Sequence, residues 1–149
     1  MRRTGPPRAI VSVIAILAWA GLARAQPAPN AQPSGGSVVA GSAAISQTAT
    51  KTTIQQATQR AAINWQSFDI GSQQTVQFQQ PSAAAVALNR VVGPNPSQIA
   101  GRIDANGQVV ITNQSGVTFY RGAQVNTAGL MVTAAGISNG NFMAGRMVF

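Results

Sequence analysis

The sequence contains no cysteine and no histidine, and only two of its 149 residues are acidic, Asp69 and Asp104. Disulfide staples, thiolate nucleophiles, zinc sites built on Cys or His, and Ser-His-Asp relays all lack their atoms. A paired-carboxylate glycosidase would have to use both acids, and a hard-cation cage would run out of ligands. Aromatics are also scarce at 5%, and charged residues make up only 8% of the chain. No enzyme activity, metal or cofactor is expected from such a composition. What the sequence does have is 45% hydrophobic residues, enough for one domain with a small core.

The formal charge of +8 is concentrated at the start. Arg2, Arg3 and Arg8 precede an apolar run from Ala9 to Ala20, and Ala23-Arg24-Ala25 follows. A basic segment, a short apolar segment and an A-x-A site make residues 1–25 a cleavable secretory signal. The apolar run is well short of the ~20 residues that span a bilayer. Without residues 1–25, six cations face two acids, a net charge of +4. The six (Lys51, Arg60, Arg90, Arg102, Arg121 and Arg146) stand singly. Nucleic-acid binding needs clustered cations, so none is expected.

Residues 26–37 are Pro, Ala, Asn, Gln, Ser and Gly, and read as a flexible leader. Thr48–Gln56 suggests one strand, whereas Gln55–Ala62 has some helical composition. Beyond Ala62, short apolar alternations are broken by turn residues at close intervals. Strands are predicted at Ile63–Ile70, Thr75–Gln79, Ala84–Val91, Gln108–Thr112, Val117–Tyr120, Leu130–Thr133 and Met147–Phe149. No segment sustains a helical repeat long enough for crossover helices, so the fold class is all-β. Asn106-Gly107 is a hairpin signal that favours a sandwich or meander. Low charge, abundant Asn, Gln, Ser and Thr, and small turn residues favour a parallel β-helix, where uncharged side chains can stack on equivalent rungs. Gly101, Gly107, Gly116 and Gly122 are expected at turns of positive φ. Arg90 is expected to pair with Asp69 or Asp104, and Trp65, Phe68 and Ile70 to bury under the first rungs.

Five blocks then follow in a particular order. They are Asn64-Trp65-Gln66-Ser67-Phe68-Asp69-Ile70-Gly71, Val86-Ala87-Leu88-Asn89-Arg90-Val91, Pro96-Ser97-Gln98-Ile99-Ala100-Gly101-Arg102-Ile103, Ala105-Asn106-Gly107-Gln108-Val109-Val110-Ile111 and Asn113-Gln114-Ser115-Gly116-Val117-Thr118-Phe119. In order and spacing they resemble the N-terminal secretion domain of filamentous-haemagglutinin-type exoproteins, the two-partner secretion family. The resemblance runs from about Gly36 to Phe149. It implies a right-handed parallel β-helix with an N-terminal cap, and a chain recognised in the periplasm by the POTRA domains of an outer-membrane β-barrel transporter. The domain would then emerge at the cell surface or into the medium.

Two departures from the family stand out. Its Asn-Pro-Asn-Gly-(Ile or Val) signature reads Asn113-Gln114-Ser115-Gly116-Val117, so the turn lacks the proline that would pre-order it. The place of its Asn-Pro-Asn-Leu element holds Gln79-Gln80-Pro81-Ser82. Residues 38–149 are therefore expected to be a partial secretion domain, incomplete at its C-terminus and lacking the passenger region that follows in the family. Candidate transporter contacts are Asn89, Asn113, Gln114, Ser115 and Gly116. Asn89 and Asn113 have an alternative role, satisfying backbone groups from inside or at a turn. The rival function is a surface adhesin binding host glycans or receptors.

Overall fold

A computed structural model describes residues 26–149. The signal segment 1–25 lies outside the described residues. The chain winds as a parallel β-helix whose strands stack in columns. The first column holds β3 (Lys51–Gln56), β5 (Thr75–Gln79), β8 (Arg102–Ala105) and β11 (Gln124–Asn126), all parallel. The second holds β4 (Arg60–Trp65), β6 (Val86–Val91), β9 (Gln108–Asn113) and β12 (Gly129–Thr133), also parallel. A shorter third face pairs β7 (Ser97–Ile99) with β10 (Val117–Phe119), extended by a bridge from Ile70 to Ile99.

The cap is antiparallel. β1 (Ser37–Ala40) lies on β4, and β2 (Ala43–Gln47) lies on β3. This reverses the ladder at the N-terminal end and covers the first-rung edge of both columns.

Period-2 alternation decides what points inward. Thr52, Ile54, Val76, Phe78 and Ile103 fill the interior from the first column, and all are buried. From the second column the register aligns Ile63, Asn89 and Ile111. Trp65 and Phe68 pack edge to face with centroids 5.5 Å apart, closing the core beneath the cap. Each of the buried apolar side chains contributes roughly 1.5–3 kcal/mol.

The second column is apolar on its outer side too. Ala62, Val86, Leu88 and Val110 form a separate cluster with Ile137 and Phe142. Phe142 belongs to a one-turn helix, α1 (Asn139–Met143), capped by the Ser138 side chain accepting from the Asn141 N–H. Arg60 lies over the Phe142 ring at 5.2 Å and reinforces the docking.

Several expectations are corrected. The 26–37 stretch, expected as a flexible leader, is held mainly by hydrogen bonds, with Pro33 its one buried residue. Ser34 N–H donates to Ser67 O at 2.9 Å, Gly71 N–H to Ala31 O at 2.9 Å, and Gln73 N–H to Pro29 O at 3.0 Å. Gln32 adds side-chain donations to Thr48 O and Gln74 Oε1. Asn106-Gly107 makes no hairpin: it turns the corner from β8 to β9, which belong to different sheets. Residues 55–62 are strand, turn and strand, not helix, and Met147–Phe149 is irregular.

Gly116 and Gly122 do take positive φ, +95° and +93°. Gly101 and Gly107 do not, and are required by close approach instead. A Cβ on Gly101 would sit 2.2 Å from Gly71 O. Arg90 pairs with neither acid: Asp104 pairs with Arg102 at 2.8 Å, and Asp69 accepts from the Gln98 N–H at 2.8 Å.

Candidate recognition site

The turn from Asn113 to Gly116 joins β9 to β10 at a corner of the third rung. Its closure is a hydrogen bond from Gly116 N–H to Asn113 O at 2.9 Å, with Gly116 at the positive φ that favours glycine. Asn113 holds the corner from within. Its side-chain oxygen accepts from Ser115 N–H at 2.9 Å, and its amide donates to Asn95 O and Ser97 Oγ, both at 3.0 Å. Asn113 is 1% exposed, so it shapes the turn rather than presenting itself.

Gln114 and Ser115 are exposed at the tip. Ser115 Oγ donates to Pro94 O at 2.8 Å, and Ser97 N–H donates to Gly116 O at 3.0 Å. These bonds staple the turn to residues 94–97 of the preceding rung. The order that proline would have imposed at position 114 therefore comes from side-chain hydrogen bonds.

Asn89 is not at this surface. It is fully buried, because the alternation of β6 turns Ala87, Asn89 and Val91 inward. Its Oδ1 accepts from Trp65 Nε1 at 3.0 Å, and its amide reaches Val110 O at 3.3 Å. Asn89 is removed from the set of residues a partner could touch in the folded domain. The structure brings Asn113, Gln114, Ser115 and Gly116 together and leaves Asn89 in the core.

Sequence reasoning missed one polar hub. Gln80 is 8% exposed and occupies a corner between the two columns. Its Oε1 accepts from Gly107 N–H at 2.8 Å, while its amide donates to Gln108 O at 3.0 Å and to Gln56 Oε1 at 3.2 Å. Asn106 bonds both backbone groups of Gln80, at 2.8 and 2.7 Å. The available signal was positional: Gln56 closes β3 and Gln80 follows β5, each one position past the Gln55–Gln79 pair.

Beside the 113–116 turn lies a cleft of about 470 Å³, walled by the 92–94 turn, the 113–115 turn and residues 134–136. Arg90 lines it. Its guanidinium donates to Asn64 Oδ1 at 2.8 Å, Ile137 O at 2.7 Å and Asn139 Oδ1 at 2.9 Å, neutral acceptors in every case. Burial lowers the pKa of Arg90 below the ordinary arginine value by withdrawing solvent from the charged form. At the outer end of the helix, β10, β11 and β12 pair with no further strand among the described residues.

Residues 30–149 match the family model of the TPS secretion domain. Two heme/hemopexin-binding proteins of Haemophilus influenzae are similar to the chain. One, from strain Rd, is 42% identical over 136 residues, covering 89% of this chain and 15% of that protein. The other is 51% identical over 86 residues, covering 58% and 9%. Among solved structures, the crystal structure of the HMW1 secretion domain from Haemophilus influenzae superposes with a TM-score of 0.72 at 36% identity, over 76% of this chain and 30% of that one. The chain thus spans a small part of the relatives it matches.

Proposed function

The chain belongs to the TPS secretion domain family, and from that premise we propose that it is the recognition module of two-partner secretion. It carries the chain, exported by its signal segment, to a POTRA-bearing outer-membrane β-barrel transporter. The observation that carries this reading is the family match over residues 30–149 together with an exposed, hydrogen-bonded turn at the place of the family's signature. The domain performs no chemistry in this role. It offers a rigid shape, because solenoid rungs hold turn tips at fixed spacing. The heme and hemopexin binding named for the relatives is not carried over, since the chain spans only 15% and 9% of those proteins.

The reading is tested by titrating purified residues 26–149 with the soluble periplasmic portion of the cognate transporter in a calorimeter. A saturable one-to-one complex is expected. No heat of binding, with both proteins folded, would contradict it.

A further inference from the structure

The cleft beside the 113–116 turn is lined by Arg90, whose charge no acidic side chain among the described residues neutralises. Arginine stays protonated at any physiological pH and has five N–H donors. Three hydrogen bonds of Arg90 go to neutral oxygens, which leaves its charge without a carboxylate. Neither acid of the chain can supply one, because Asp104 is paired with Arg102 and Asp69 is bound to the Gln98 backbone. A partly desolvated, uncompensated guanidinium donates strongly to an incoming anion; with both Nη2 N–H groups committed to Ile137 O and Asn139 Oδ1, it does so through Nε–H and the second Nη1–H. The rim is apolar along residues 92–94 and 134–136, and polar along the 112–115 wall. Val92 is 49% exposed, Pro94 and Ala134 are also exposed, and Gly136 leaves open space where a side chain would stand.

We propose that this cleft receives an acidic side chain, Asp or Glu, from a segment of the transporter's periplasmic domains, with a neighbouring apolar residue of that segment seated on Val92 and Pro94. The inference rests on the transporter-recognition reading above and gives that contact its chemistry. Charge complementarity selects the occupant: the described residues carry a net +4, and Arg90 is the partly buried cation nearest the signature turn. Gln114 stands on the same cleft wall, exposed, so a charge placed there adds to or opposes the field of Arg90 without touching the core.

The test is the same calorimetric titration, run with Gln114→Lys, Gln114→Glu and Arg90→Gln at low and high salt, with thermal melts on each variant. Gln114→Lys should tighten binding and Gln114→Glu weaken it, each about threefold at 50 mM salt, with both differences fading near 0.5 M. Arg90→Gln should weaken binding about tenfold or more. Because Arg90 also tethers residues 137–139, the Gln114 pair is the arm that does not depend on the fold. A purely steric role for position 114 would weaken both substitutions alike and would overturn the proposal. So would salt-independent binding unchanged in all three variants, which leaves the recognition reading standing. Failure of the unaltered domain to bind overturns that reading and this inference together.

Discussion

Asn113→Ile should abolish secretion. Placed in a chimaera in which residues 1–149 precede a reporter, the substitution is expected to cut reporter in the medium at least tenfold, while the protein stays detectable in the periplasm. Isoleucine removes one acceptor and two donors from a nearly closed site, stranding Ser115 N–H, Asn95 O and Ser97 Oγ. Ser97 Oγ is buried, and leaving it unsatisfied costs about 1–3 kcal/mol, while the exposed Ser115 and Asn95 turn to water and release the tip. The turn then opens and takes Gln114 and Ser115 out of position. Asn113→Asp keeps the acceptor and loses the two donors, so it should fall between. Fractionation and immunoblotting of medium and periplasm read the result. Undiminished secretion of the isoleucine variant would remove this turn from the mechanism.

Trp65→Ala should destabilise the domain by about 3–5 kcal/mol, as truncation of a large buried aromatic does. The indole is 1% exposed and packs on Phe68 beneath the cap. Its N–H also satisfies Asn89 Oδ1, so truncation leaves a cavity and an orphaned acceptor together. Trp65→Phe keeps most of the volume and loses the hydrogen bond, and should cost about 1–3 kcal/mol. Urea unfolding followed by circular dichroism separates the two. A midpoint for the alanine variant close to that of the unaltered domain would contradict the packing described.

The elements legible in the sequence were those whose local pattern coincides with their tertiary setting. Thr75–Gln79 alternates cleanly because one face of β5 is interior and the other solvated, and its bounds agree with the structure. The family order of the five blocks carried the parallel stacking, which composition favoured only narrowly over a sandwich. Most of the short strands were not legible. β7, β8 and β11 have three or four residues, too few for a period to show, and exist because the preceding rung offers a ladder. Asn106-Gly107 misled because the glycine answers to a neighbouring backbone rather than to a hairpin turn.

The candidate site was half legible. Gln114, Ser115 and Gly116 lie on the surface as a contact requires, since a turn tip projects wherever the rungs stack. Of the two roles open to Asn89, the structure shows the inward one; the sequence could not choose, because β6 is buried on both faces and a polar residue in its run gives no clue to direction. Arg90 lacks the acidic partner expected for it because its side chain leaves the outer face of β6 toward residues 137–139, a segment whose short helix has almost no periodic signal. The leader was misread because Pro-, Ala- and Gln-rich composition measures apolar burial, whereas its order comes from backbone pairing with residues 66–73.

The measurement that bears most directly on the role of this domain is secretion of the unaltered chimaera with and without the cognate barrel transporter co-expressed in one host. The account requires reporter in the medium only when the transporter is present, and retention in the periplasm when it is not. Equal release in both strains would contradict it.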